Sequence, residues 1–111
     1  MRSPVIRVVP FLVPNWAWGK SVWHLVLLHR RALAPEHREW LPRLVAHELV
    51  HYDQWARYGF FGFLGRYVWG WASNDFDYQK IPLELEAWVL ESDPAYLARA
   101  QTLIDQYIDP V

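Results

Sequence analysis

The sequence predicts a small α+β domain in which two or three short N-terminal strands pack on a bundle of about four helices. The valine- and leucine-rich runs that are typical of strands all lie before residue 30. The prolines and glycines that typically begin and end helices follow them. Because 111 residues are enough for one domain with one modest core, we treat residues 1–111 as a single domain.

Two segments near the start of the chain have the composition of strands. Val5–Val9 is a short β-branched run, and Ser21–His29, with the sequence SVWHLVLLH, is rich in valine and leucine and follows a glycine. Between them NWAWG, residues 15–19, predicts a turn. RRALAPEH, residues 30–37, predicts an irregular connection that ends at Pro35.

The longest helical pattern is Glu36–Tyr58. Pro42 divides this pattern, because proline is tolerated at the first position of a helix, so the main helix is expected to begin near Leu41 or Pro42. Gly59 is placed to end it. The aromatic run Phe60–Ala72 then predicts a second helix, although three glycines interrupt it.

Two further helices are predicted in the last third of the chain. The polar segment SNDFDYQK, residues 73–80, predicts a loop. Pro82 opens a third helix that is expected to continue to about Glu91. Asp93 is a good N-cap with proline directly after it, so a fourth helix is expected from there to about Ile108.

Composition excludes several functional classes. A net charge of −1 argues against binding of nucleic acid or an anionic membrane through bulk charge. The absence of cysteine excludes disulfides, thiolate zinc sites and cysteine nucleophiles. The eight tryptophans are expected to serve core packing.

No targeting or membrane-spanning segment is predicted. Arg7 and three prolines interrupt the apolar N-terminus, which therefore does not resemble a signal peptide. Phe60–Ala72 is too short to span a bilayer and carries Arg66. We therefore expect a soluble, cytoplasmic protein. Membrane contact is possible but not expected, although exposed aromatics in Phe60–Ala72 would predict self-association or weak lipid adsorption.

The segment VAHELVHYDQW, residues 45–55, contains the candidate metal-binding residues. His47 and His51 are four residues apart on the predicted helix and so share one face, which is the spacing at which two imidazoles bind one zinc ion. Glu48 lies about 100° round the helix, where it can take a proton from a zinc-activated water. The alternative is an ordinary buried helix whose histidines form only local hydrogen bonds.

A catalytic zinc site needs a third protein ligand. A metzincin would place a histidine six residues after His51, where this chain has Arg57, so that arrangement is rejected. The remaining choice is a downstream carboxylate on the helix that carries IPLELEAW, residues 81–88. Glu84 and Glu86 are two residues apart there, so only one of them can face the metal.

HELVH followed by a helix with ELEA resembles the gluzincins, zinc peptidases whose third ligand is a glutamate on a second helix. In that group an alanine commonly stands three residues after the ligand, so the resemblance implies that Glu84 is the ligand and that Ala87 lets the two helices pack closely. The longer pattern also resembles minimal bacterial gluzincin-like proteins, which carry a glutamine at the position of Gln54. The resemblance covers roughly residues 21–88.

The resemblance also has consequences for the groups around the metal. Many gluzincins place Asp or Asn four residues after the ligand glutamate to accept a hydrogen bond from a zinc histidine, but this chain has Trp88 there. Glu91, Asp77 or a backbone carbonyl would have to replace it. Tyr78 lies upstream of Glu84, as an oxyanion-stabilising tyrosine does in some gluzincins; the alternative is a tyrosine packed against its own loop.

The sequence therefore predicts a gluzincin-like zinc metallopeptidase that acts on a peptide or protein substrate. His47, His51 and Glu84 would bind Zn²⁺, and Glu48 would act as the general base. The segment SVWHLVLLH would provide an edge strand along which a substrate could pair, although a core strand is equally compatible with its sequence. His24, His29 and His37 are expected to bind no metal. The alternative function is a catalytically weak zinc-binding interaction module with the same fold, which contacts a partner or a membrane through residues 60–72. The oligomeric state is left open.

Overall fold

The computed structural model describes residues 2–9 and 18–108, which form a three-stranded sheet and three α-helices of a mixed α+β domain. The strands are β1 (Val5–Val9), β2 (Gly19–Val22) and β3 (Leu25–His29). The helices are α1 (Leu41–Ser73), α2 (Pro82–Leu90) and α3 (Pro94–Tyr107). Short 3₁₀ turns occupy Arg30–Leu33, Pro35–His37 and Tyr78–Lys80. The α+β class is confirmed.

The sheet has the order β1-β3-β2, with β1 parallel and β2 antiparallel to β3. The expectation of one strand over Ser21–His29 is wrong, because the chain reverses at Trp23 and His24, where Trp23 adopts a φ of 56°. Leu25–His29 consequently lies in the centre of the sheet and cannot accept a substrate strand. Among the described strands, β2 is the edge strand that packs against α1. The predicted turn at residues 15–19 lies mostly outside the described residues.

Helix α1 begins at Leu41 with Pro42 in its first turn, as predicted. The two helices predicted on either side of Gly59 are the two halves of α1, since the backbone leaves helical geometry at Gly59 alone (φ 73°, ψ 172°) and resumes it at the next residue. The described residues therefore contain three α-helices, and the expected bundle of about four is not found. Only glycine adopts this backbone conformation readily, so the kink is specified by the sequence.

The first half of α1 is buried between the sheet and α3. Val45, Ala46 and Leu49 pack with Val26 and Leu28 of the central strand, and α3 closes this cluster from the other side with Ala100, Leu103 and Ile104. Residues four apart on one helix share a face, which explains why Val45 and Leu49 enter the same core. This core fixes the helix that bears the two histidines.

A second cluster joins the kinked part of α1 to the start of α2. Trp55 and Phe63 stack at 3.8 Å between ring centroids and pack with Ile81 and Leu83. Gly70 lies against Pro82 so closely that a Cβ at Gly70 would be 2.9 Å from the Pro82 Cδ. The first turn of α2 is thereby held beside α1.

The last helix follows its predicted signals. Asp93 caps α3 by accepting hydrogen bonds from the amides of Ala95 and Tyr96. The tryptophans depart from expectation: among those described, Trp55 is fully buried, whereas Trp18, Trp40, Trp69, Trp71 and Trp88 are exposed. No helix within residues 2–9 and 18–108 is both long and apolar enough to cross a bilayer.

We predict that Gly59→Ala lowers the free energy of unfolding by roughly 1–3 kcal/mol, because an alanine would be strained at this backbone conformation. Gly65→Ala is the matched control. Gly65 lies in regular helix in the same half of α1, and a Cβ there would meet no atom within 4 Å. It should be neutral or stabilising by about 0.5–1 kcal/mol. Urea unfolding of both variants measures the difference, and equal effects would contradict the kink.

Candidate metal centre

The two motif histidines lie on successive turns of α1, with ring centroids 5.0 Å apart. His51 is buried and His47 is partly buried. Both rings turn their Nε2 atoms toward α2. The spacing of four residues therefore places two imidazole nitrogens on one side of the helix, as predicted.

Glu84 meets these nitrogens from the first turn of α2. Its Oε1 atom lies 3.1 Å from His47 Nε2 and 2.9 Å from His51 Nε2. One ligand atom from each of the three residues lies within 4.8 Å of the others, so the group can hold a metal ion. Glu86 points elsewhere, toward Gln54 Nε2 at 3.1 Å and Arg57 at 3.7 Å.

Ala87 lies in the packed part of α2. It stands one turn after Glu84 and has no exposed surface. Because protein interiors are closely packed, a larger side chain at this position would push α2 away from its neighbours. The small side chain therefore lets α2 pack closely at the turn that carries Glu84.

Gln54 determines which nitrogen of His51 carries the proton. The Gln54 amide nitrogen donates to the Leu83 carbonyl oxygen at 2.9 Å and to Glu86, both of which only accept. Its Oε1 atom must therefore accept from His51 Nδ1, at 2.8 Å. The Nδ1 atom of His51 then bears a hydrogen, and Nε2 faces the Glu84 carboxylate with either a second proton or a lone pair.

His47 has a looser contact on its other ring nitrogen. Its Nδ1 atom lies 3.4 Å from Glu91 Oε1, which is an ion-pair distance and not a hydrogen bond, and Arg43 binds the other oxygen of Glu91 at 2.7 Å. Glu91 is therefore the carboxylate that faces His47, whereas Asp77 accepts from the backbone amide of Gln79.

These contacts test whether a metal fits. If each histidine donated from both nitrogens, two imidazolium ions would stand side by side in a largely buried site, which like-charge repulsion and desolvation both oppose. A single cation between the three ligand atoms would leave both rings neutral, with the Nδ1 hydrogen of His51 on Gln54 and that of His47 directed toward Glu91. Acceptors behind the metal-binding nitrogens orient histidine ligands in this way in metal proteins. The residues present therefore fit a metal ion.

Two tyrosines hold the second oxygen of Glu84. The hydroxyl of Tyr67 donates to Glu84 Oε2 at 2.7 Å, and that of Tyr78 donates to the same atom at 2.5 Å. Burial, together with the negative charge of Glu84, raises the pKa of both phenols well above its usual range. Both hydroxyls therefore remain protonated donors.

The charge state of Glu84 follows from these partners. Burial alone would raise the pKa of this carboxyl, but hydrogen bonds from His47, His51 and Tyr78 outweigh it and hold the pKa far below its usual range. For His47, burial alone would lower the pKa, but the hydrogen bond to Glu84 and the nearby carboxylates raise it. Glu84 is therefore an anion although it is only 1% exposed.

Glu48 lies beside the group without joining it. It is 4% exposed, and its Oε2 atom has no hydrogen-bond partner among the described residues. Burial raises the pKa of Glu48, and the positive charge that His51 and His47 can carry lowers it in part. A buried carboxylate oxygen without a partner is costly, so such a position is typical of a functional group.

A cavity of about 510 Å³ opens against this site. Glu48 and His47 form part of its wall, and Glu91 and Arg43 lie beside them. Most of the remaining wall is apolar or aromatic and consists of Trp18, Gly19, Ala32, His37, Trp40, Leu41, Leu44, Tyr78 and Trp88. The cavity gives a ligand access to Glu48.

The structure thus brings together His47, Glu48, His51, Tyr78 and Glu84. The other histidines stay outside the metal-binding group found in the described residues. His29 accepts from the backbone amide of Arg31, and His37 meets the ring of Trp18 edge to face. The sequence does not predict the contact of Tyr67 with Glu84, because no local pattern marks this tyrosine. It does contain a signal for Gln54, since a side chain three residues after His51 on a helix can contact the histidine ring.

We predict that Gln54→Leu weakens zinc binding about 10- to 100-fold, because His51 loses the acceptor that fixes its ring. Competition with a chromophoric chelator measures this change. Gln101→Leu is the control, since Gln101 is exposed on α3 and its amide donates to Asp105, far from the metal-binding group. Unchanged affinity in Gln54→Leu would show that the hydrogen bond does not matter for the metal.

Comparison with protein-family models, with curated proteins and with solved structures yields no match for this chain. What this site can bind is therefore indicated by the geometry of its own residues.

Proposed function

We propose that the chain is a zinc-dependent metallopeptidase of the gluzincin type. One observation carries the proposal: the three converging ligand atoms of His47, His51 and Glu84 lie next to the unpartnered carboxylate of Glu48. Two imidazoles and one carboxylate are the donor set of catalytic zinc sites that keep one position open. Purely structural zinc sites are closed by four protein ligands and need no base.

The metal-binding group and Glu48 have different roles in the proposed hydrolysis. Zinc bound here would supply Lewis-acid activation of water and of the scissile carbonyl. Glu48 takes the proton of the attacking water and passes it to the leaving amine. Its raised pKa suits this role, because a general base works best with a pKa near the working pH.

Tyr78 is proposed to stabilise the oxyanion. Its side chain is partly exposed at the cavity wall, and its hydroxyl shares Glu84 Oε2 with Tyr67. When Tyr78 turns toward a substrate oxygen, Glu84 therefore keeps the hydrogen bond from Tyr67. A donor that is still protonated at neutral pH is the group that this step needs.

We propose that an extended substrate pairs with the free edge of strand β2. The Trp18 carbonyl accepts from the His29 amide, so the alternation of an antiparallel ladder directs the main-chain groups of Gly19 and Ser21 away from β3. Trp18 and Gly19 also line the cavity beside Glu48. An extended peptide that pairs with this edge would run past the general base.

We expect wild-type protein to bind close to one zinc ion per chain. Glu84→Ala should lose most of this affinity, because it removes the charged ligand, whereas Glu86→Ala should keep it, since Glu86 faces Gln54 and Arg57. Elemental analysis after gel filtration, with circular dichroism as a check on folding, compares the three proteins. The reverse ranking of the two variants would mean that the wrong glutamate has been assigned.

Glu48→Gln should retain zinc and the fold but lose hydrolysis of a mixed peptide library by at least about 100-fold, because an amide cannot take the proton of water. Mass spectrometry of the library detects cleavage without knowledge of the substrate. Loss of zinc in this variant would make Glu48 a ligand and end the proposal. A wild-type protein that binds zinc and cleaves nothing would instead be the interaction module.

A further inference from the structure

The second half of α1 presents an entirely apolar surface to solvent. At 100° per residue, seven residues fall within roughly 160° of the helix circumference, and all seven are exposed. Phe61 is 84% exposed and Trp69 is 72% exposed. We call this surface the outer face of α1; it consists of Phe61, Leu64, Gly65, Val68, Trp69, Trp71 and Ala72.

The outer face is as large as the largest apolar patches that monomeric proteins present. From the burial typical of aromatic side chains, its exposed apolar area is on the order of 600 Å². The largest apolar patch on a typical monomer is roughly 300–600 Å² and is often functional. No charged residue interrupts the face. Arg66 lies at its margin and stacks on the ring of Tyr58, with its guanidinium carbon 4.2 Å from the ring centroid.

The spacing along the outer face is that of a seam between two helices. Phe61, Gly65, Val68 and Ala72 follow one another at intervals of four, three and four residues, the repeat by which two helices pack side by side. Small residues alternate with larger ones, and a Cβ at Gly65 would meet no atom within 4 Å. The middle of the face is therefore shallow, and another helix can approach it closely.

The charges at the two ends favour a second copy of the same chain. Arg57 precedes this half of α1 and Asp75 follows it, and both are exposed. In an antiparallel pair each Arg57, whose guanidinium also lies 3.7 Å from Glu86 of its own chain, comes to the end of the partner helix at which Asp75 stands. An anionic lipid surface is less well matched, because Asp75 and Asp77 flank the face and the net charge of the chain is −1.

We propose that the outer face of α1 is the interface of a homodimer in which the second halves of two α1 helices pack antiparallel. The interface is isologous, since the same residues meet from both sides. Its apolar area of roughly 600 Å² per partner lies below the roughly 800 Å² of a standard protein interface but within the range of stable ones. The metal centre lies on the opposite side of this helix, where Tyr67 contacts Glu84, so the proposal does not depend on peptidase activity.

Val68→Glu tests the interface, because it places a charge in the middle of the seam. Val89→Glu is the matched control, since Val89 is also a helical valine at the surface, 77% exposed on α2 against 55% for Val68. Sedimentation equilibrium of the full chain at up to about 100 µM should show wild type and Val89→Glu as dimers of twice 13.3 kDa. Val68→Glu should raise the dimer dissociation constant at least about 100-fold, with its circular dichroism spectrum unchanged.

Phe61→Ser gives the same comparison if Val68→Glu does not fold, because Phe61 has few contacts of its own. A monomeric wild type would overturn the proposal, and so would a Val68→Glu or Phe61→Ser variant that remains as dimeric as wild type. Sedimentation with phosphatidylcholine and phosphatidylglycerol vesicles completes the test. A monomeric wild type that binds the vesicles through these residues would make the face a lipid-binding surface and would also overturn the dimer.

Discussion

The candidate metal centre depends on the contact between the second half of α1 and the first turn of α2. Pro82 rests on Gly70, where no larger residue would fit, and Ile81 and Leu83 are buried against aromatic rings of α1. Glu84 follows directly on this anchored segment. A displacement of α2 by the width of one methyl group would take its carboxylate out of reach of both histidines. The packing of apolar residues thus determines the geometry of the polar ones.

The polar groups form one connected series. The Leu83 carbonyl orients Gln54, Gln54 orients His51, and His51 meets Glu84, whose other oxygen receives the two phenols. Gln54 and the two phenols each have a definite donor or acceptor role in this series. Hydrogen-bond networks inside a protein are stabilising when every member has a partner and costly when one lacks it. Glu48 lies beside the series, and its Oε2 atom has no partner among the described residues.

The sequence predicted the parts of the fold and site that depend on local spacing. The i, i+4 relation of His47 and His51 needs only a helix, and proline at positions 42, 82 and 94 is favoured in the first turn of a helix. The choice of Glu84 over Glu86 needed the resemblance to known zinc peptidases. Features that depend on packing between distant segments were not predictable. The contact of Tyr67 with Glu84 requires the direction that α1 takes after Gly59, and the reversal at Trp23 and His24 uses residues that are unusual in turns. Tryptophan content could not reveal which rings face solvent.

The two phenols on Glu84 also set the denticity of this carboxylate. Because Tyr67 and Tyr78 both donate to Oε2, only Oε1 is available to an ion, and the glutamate can contribute one oxygen instead of two. The protein then offers two nitrogens and one oxygen. Calcium, which prefers six to eight oxygen ligands and accepts carboxylates in bidentate fashion, is poorly served by such a set. In a metal-bound form the two tyrosines would therefore make this group a poorer fit for the hard cations than for a small, low-coordinate transition metal.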